Sequence, residues 1–155
     1  MITLLLPAFN EESSLFPLLE RTELTMKETG IPFRIIVCND GSTDKSREIL
    51  TRLSSQFPLE IINHKINRGL GETSRDLFEL AAETSQPEDI IIRMDCDETH
   101  GPELFPKLIE KIEEGYDVVI ASRYQPGGGQ DGVSFYRAFI SRCANLVMKC
   151  FFPIS

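Results

Sequence analysis

Apolar residues fall along this chain in short unbroken runs, separated by longer stretches in which they recur at helical spacing. The runs occupy residues 3–9, 33–38, 59–63, 89–94 and 117–122. They are short, bounded by turn residues and mostly continuous rather than alternating, which predicts strands covered on both faces. Between the first two runs, residues 13–29 place Leu15, Leu18, Leu19 and Met26 on one helical face. Pro17 lies in the first turn of that helix, where a missing N–H is tolerated, and Gly30 closes it. Further helices are expected over 44–57, with Thr43 or Asp44 as cap, and over 69–84, with Leu70, Leu77, Phe78 and Ala81 on one face. Another starts at Pro102 and runs to 114, and a final amphipathic helix covers 134–152, after a Gly-rich loop at 127–129.

Strand and helix therefore alternate with a period of about 30 residues, the length of one βα unit. The expected fold class is α/β, a mainly parallel, Rossmann-like sheet with helices on both faces. In such sheets ligands bind outside the carboxyl ends of the strands. The unusual polar residues gather at those ends: Asn10-Glu11, Asn39-Asp40-Gly41, Asn67-Arg68-Gly69, Asp95 with Asp97, and Ser122-Arg123.

Composition narrows the possible partners. A length of 155 residues suits one domain, and 41% hydrophobic residues are enough for a real core. A net charge of -8 argues against general nucleic-acid binding. The cysteines at 38, 96, 143 and 150 have neither CxxC nor zinc spacing, so they read as free thiols in a reducing, cytoplasmic setting. The N-terminus lacks the basic region of a signal peptide, and no run reaches the roughly 18 apolar residues of a membrane span.

The chemistry centres on MDCDETH, residues 94–100. Neither GxGxxG after the first strand nor a GxxxxGK[ST] phosphate loop is present, and Gly69-Leu70-Gly71 lacks a third glycine. A diphosphate would have to be held another way, and a divalent cation bridged by carboxylates is the obvious substitute. Mg²⁺ or Mn²⁺ takes oxygen ligands, commonly one or two carboxylates plus substrate phosphates. Asp95 and Asp97, two residues apart on an extended segment, share a side and read as a metal–diphosphate clamp. Taken alone, such a pair also reads as two caps, one on the strand and one on the next helix.

The segments PAFNEE, VCNDGSTDKS, NRGLGETSRDLFELA, MDCDETHGPELFPKLI and DVVIASRY occur in this order along the whole chain. As an ordered set they resemble the family-2 inverting glycosyltransferases, and the tail SRYQPGGGQDGVSFYRAFISRCANL looks like the dolichol-phosphate (polyprenyl-phosphate) mannose synthase branch. The resemblance implies a GT-A type nucleotide-diphospho-sugar transferase fold. It implies that Pro7, Phe9, Glu11 and Asp40 line the base and ribose, with Arg68 and Gly69 near the sugar-nucleotide. Asp40 also reads as an Asx turn with Gly41. Asp95 would lie near the donor sugar or ribose, and Asp97 would be the main metal ligand. Thr99 stands where the branch often has Gln as a further ligand; its hydroxyl is the candidate third ligand, or a water fills the place, which puts metal affinity or metal choice in question. His100 reads as structural rather than as a base.

The acceptor side rests on the last third. Arg123 ends a strand beside the expected diphosphate, and Arg137 and Ser141 share a helix face four residues apart. The resemblance implies that they bind the phosphate of a polyprenyl-phosphate acceptor, and two guanidinium groups with a hydroxyl suit that anion. The same helix carries an apolar stripe that fits either a peripheral contact with the cytosolic face of a membrane or packing on protein. The expected reaction is inverting transfer of a sugar, mannose from GDP-mannose, with Asp95, Asp97 and Arg123 as the catalytic set. Other readings stay open: a UDP-sugar donor, a nucleotidyltransferase, or a donor-binding fragment without activity of its own. The chain stops where this branch completes its acceptor side, so 1–155 is expected to be a single glycosyltransferase domain truncated at its C-terminus.

Overall fold

The computed structural model describes residues 1–97 and 101–122, together with 140, 141, 144, 147 and 148. The chain forms two compact units, Met1–Val119 and Ile120–Ser155. The first unit holds a four-stranded, all-parallel sheet of β1 (Ile2–Ala8), β2 (Phe33–Asn39), β3 (Leu59–Asn63) and β4 (Ile90–Arg93) in the order β3-β2-β1-β4. Its helices are α1 (Leu15–Thr29), α2 (Ser46–Leu53), α3 (Leu70–Thr84) and α4 (Phe105–Glu113), the last preceded by a 3-10 turn at Pro102–Leu104. Strands and helices alternate along this unit as in an α/β fold.

β1 is inner to the sheet, and all seven of its residues are buried. Its pleat divides the core. Ile2, Leu4, Leu6 and Ala8 pack with Leu15, Leu18, Leu19 and Met26 of α1, Leu50 and Leu53 of α2, and Phe105 and Ile109 of α4. Leu5 points the other way, to Ile36, Cys38, Leu77 and Ala81. Helices thus cover both faces, three on one and α3 on the other. Each fully buried Leu or Ile contributes about 1.5–3 kcal/mol of burial, so the face under α1, α2 and α4 carries most of the apolar stabilisation.

Pro7 sits in this inner strand without breaking a ladder. Even-numbered residues of β1 bond towards β2, as Ile2 N–H does to Pro32 O, and odd-numbered ones towards β4, as Leu5 O does with Met94 N–H. Pro7 is odd-numbered, and the β4 register ends at Leu5–Arg93. The missing N–H faces the side where no rung is formed, which is the placement an inner-strand proline needs.

Four expected boundaries are corrected. α2 is Ser46–Leu53 rather than 44–57. Asp44 Oδ1 accepts the Ser46 N–H at 2.9 Å from outside the helix, and Pro58 disfavours helical backbone at Phe57. The buried face of α3 is Thr73, Leu77 and Ala81, whereas Leu70 and Phe78 are 58% and 47% exposed. The stretch 102–114 divides into the 3-10 turn and α4. The expected fifth strand at 117–122 is not formed among the described residues; Val118 and Ile120 are 75% and 79% exposed. A strand exists only when paired, and an apolar run does not encode its partner. Of the expected helix at 134–152, the described residues 140, 141, 144, 147 and 148 are helical; the remainder, and the 127–129 loop, lie outside the described residues. No helix among the described residues is long and apolar enough to cross a membrane.

Candidate active site

Because the sheet is parallel throughout, the loops after β1, β2, β3 and β4 share its carboxyl edge. The first two are stitched together. Asn10, with φ 58°, takes the Thr43 N–H on its side-chain oxygen at 2.8 Å and gives its own N–H to Ser42 Oγ at 3.0 Å. Glu11 N–H donates to Ser46 Oγ at 2.8 Å, Glu12 N–H to Asp44 Oδ2 at 3.1 Å, and Lys45 N–H to Glu12 Oε2 at 3.0 Å. Burial favours the neutral form of Asp44, but hydrogen bonds from Ser46 and the Glu12 N–H outweigh it and hold its carboxyl below the usual range. On this frame Pro7 is buried, Phe9 is 44% exposed at the rim, and the Glu11 carboxylate accepts the Ser14 hydroxyl.

Asp40 is the hub of the next two loops. It is 3% exposed. Its Oδ1 accepts His64 Nδ1 at 2.6 Å and the Arg68 N–H at 2.8 Å, and its Oδ2 accepts the Gly69 N–H at 2.9 Å. Burial pushes this carboxyl up, yet hydrogen bonds from His64, Arg68, Gly69 and the Thr73 hydroxyl hold it below its ordinary value. His64 Nε2 lies 2.8 Å from Asp76 Oδ2, which also takes Arg68 Nη1 at 2.6 Å, while Arg68 Nη2 bonds Glu72 at 2.9 Å. The Arg68 and Gly69 named by sequence are therefore brought to Asp40 through their backbone N–H groups, and the Arg68 guanidinium is held by α3. The Cys38 thiol beneath them is pushed up to about 12, by burial and then by the Asp76 and Asp40 charges. It stays protonated and is not a nucleophile.

After β4 the burial alternates. Met94 and Cys96 are 6% and 2% exposed and enter the core, so Asp95 and Asp97 are turned outward. This two-residue period is what the apolar–acid spacing anticipates. Asp95 Oδ1 accepts Arg93 Nη2 at 2.7 Å. Burial, followed by the nearby Glu11, Asp95 and Asp97 charges, pushes the Cys96 thiol far up, which marks it as an anchor. Among the described residues no group of three or more His, Cys, Asp and Glu is arranged to hold a metal ion. Two outward carboxylates nevertheless are oxygen donors of the kind that could hold Mg²⁺ or Mn²⁺ together with substrate phosphates. Thr99, His100, Arg123 and Arg137 lie outside the described residues, and Ser141 is helical and half-buried.

The residues that sequence reasoning missed are His64, Asp76, Thr73 and Arg93. His64 is one of two histidines and stands one position past β3, which was a usable signal. Asp76 and Thr73 gave none, because a polar residue beside a helix's buried face looks like its solvated side.

Comparison with known proteins gives the family. The model of the family described as glycosyl transferase family 2 matches residues 3–150. The chain belongs to glycosyl transferase family 2. It is 34% identical over 152 residues to a dolichol-phosphate mannosyltransferase of Pyrococcus furiosus, a match covering 98% of this chain and 41% of that protein. It is 34% identical over 148 residues to an undecaprenyl-phosphate 4-deoxy-4-formamido-L-arabinose transferase of Pectobacterium carotovorum, covering 96% of this chain and 43% of that protein. The family-2 chain thus spans about two fifths of the length of these relatives. Among solved structures, S. aureus TarS 1-349 in complex with UDP-GlcNAc superposes with a TM-score of 0.54 at 18% identity, over 80% of this chain and 38% of that one. That likeness places the sheet and helices in the GT-A fold.

Proposed function

We propose that this family-2 domain binds a nucleotide-diphospho-sugar and takes part in inverting transfer of its sugar to a polyprenyl phosphate. The observation that carries the reading is the outward pair Asp95 and Asp97 at the carboxyl edge, held there by the buried Met94 and Cys96. The two relatives' names share a polyprenyl phosphate and differ in the sugar, so they favour the acceptor class more strongly than any one donor. Within that class, mannose from GDP-mannose is the donor we propose; a UDP-sugar is the second reading.

Asp95 and Asp97, with Thr99 near them in sequence, would hold Mg²⁺ or Mn²⁺. Such an ion, when bound, supplies positive charge that stabilises a leaving diphosphate. Phe9 offers an exposed flat surface for a base, and Glu11 an acceptor for ribose hydroxyls. Arg123, Arg137 and Ser141 would bind the acceptor phosphate. A phosphate monoester is already ionised near neutral pH, so its oxygen attacks the anomeric carbon without a strong base. The new C–O bond forms on the face opposite the nucleoside diphosphate, whose own bond to that carbon breaks, and configuration inverts. The residues act by positioning. Peripheral contact of 134–152 with a membrane surface would bring them to a lipid acceptor.

Calorimetric titration of GDP-mannose against UDP-glucose, each with and without Mn²⁺, tests the donor. Metal-dependent binding of one donor supports the clamp and names the nucleotide. Binding of neither by folded protein would defeat the donor reading.

A further inference from the structure

The network under the β3–α3 loop has a centre that the transfer reaction does not use. His64 follows β3, and both its ring nitrogens face carboxylates, Asp40 Oδ1 at 2.6 Å and Asp76 Oδ2 at 2.8 Å. The Arg68 Nη1 is 3.5 Å and the Cys38 Sγ 3.4 Å from Nε2, both farther than the Asp76 oxygen. His64 is also tied through its own N–H to the Asn39 carbonyl at 2.9 Å. It therefore links the end of β2 to α3 by bridging the buried Asp40 and the half-buried Asp76. Asp40, fixed on one side by His64, receives the Arg68 and Gly69 N–H groups on the other.

We propose that His64 is a positioning residue of the donor site: through its contact with Asp40 it fixes the 64–69 loop at the carboxyl edge where the donor binds. The donor half of this statement rests on the function proposed above; the loop half does not. Three variants of the 155-residue chain separate them. Asn places its amide nitrogen near the position of Nδ1 and keeps the bond to Asp40, whereas Gln reaches the position of Nε2 and keeps only Asp76. Amide hydrogen exchange by NMR, without nucleotide, reads the loop directly. His64→Gln and His64→Ala should speed exchange at Arg68 and Gly69 by about 10–100-fold, the effect of losing one charged hydrogen bond. His64→Asn should stay near native, and amides of β1 should not change in any variant. Donor affinity, measured by titration with GDP-mannose or UDP-glucose and Mn²⁺, should fall in the same order.

Native exchange at Arg68 and Gly69 in His64→Gln and His64→Ala would overturn the proposal. So would acceleration spread equally over β1, which would leave His64 a general stabiliser, or a loosened loop with undiminished donor affinity. If the unaltered protein takes up neither donor, the proposed function fails, and exchange at Arg68 and Gly69 still decides whether His64 fixes the loop.

Discussion

Asp40 keeps its charge in a nearly closed environment because four donors converge on two oxygens. That arrangement has a pH signature. A carboxyl whose folded pKa is depressed stabilises the fold above its unfolded value, about 3.9, and loses that contribution as pH falls through the folded value. Urea midpoints of the native chain should therefore drop as pH is lowered below about 4. Asp44 and Glu103 are depressed as well and add to the slope, so the difference from Asp40→Asn isolates Asp40. The Asn variant should be less stable at pH 7, where its amide meets donors, and its midpoint should fall less on acidification. Parallel curves for the two proteins would remove Asp40 from the acid transition. Asp97 belongs to the outward pair instead. Asp97→Ala should lower transfer by at least about 10²-fold, the scale of losing one charge-stabilising group, with little change in melting temperature because the side chain is exposed. Transfer at the native rate in Asp97→Ala would dismiss the clamp.

The elements show how far sequence reading reaches. β3 and the ends of α1 and α3 fell where apolar runs and helical spacing put them. Those signals report burial of a whole face, which local order encodes. The face of α3 was misjudged because Leu70 and Phe78 are apolar yet exposed, while buried Thr73 belongs to the Asp40 network. The missing strand at 117–122 depends on a partner that no local pattern names. The carboxyl-edge acids were readable because Met94 and Cys96 flank them in a period of two. His64 bonds carboxylates 24 and 12 residues away, so its role appears only in three dimensions. Turns carry similar hidden information. Gly41 has φ 64°, and a Cβ there would lie 2.3 Å from the Ile66 carbonyl carbon and 2.5 Å from Asn67 N. Gly30 has φ 68°, with nothing within 4 Å of the same added atom. Gly30→Ala should cost about 1 kcal/mol from backbone strain alone. Gly41→Ala must also displace the 64–69 backbone, so it should cost clearly more, and chemical denaturation of the pair measures the difference. Equal losses would mean that the loop yields freely, against the close approach of Ile66 to Gly41.

At the scale of the molecule, an acidic chain with net charge -8 is proposed to handle two anionic substrates. Repulsion makes local cations decisive, and the carboxyl edge of the first unit contributes few free ones among the described residues. Arg68 is engaged by Asp76 and Glu72, and Arg93 by Asp95. On the proposed function, the donor end would depend on carboxylates that recruit a metal, and the acceptor end on arginines from the C-terminal segment. These are separate solutions to one electrostatic problem, so they should fail separately. Arg137→Ala should leave donor affinity unchanged and raise the acceptor KM by about 10–100-fold, the worth of one charged hydrogen bond. Asp97→Ala should remove metal-dependent donor binding and leave the acceptor's contribution to be measured only as binding. Salt gives an independent check, because screening acts most on exposed charges. Raising ionic strength should weaken acceptor use in the native chain more than in Arg137→Ala. If Arg137→Ala instead weakens donor binding alone, Arg137 belongs to the diphosphate, and the division of the chain into a metal-dependent donor end and an arginine-dependent acceptor end is wrong.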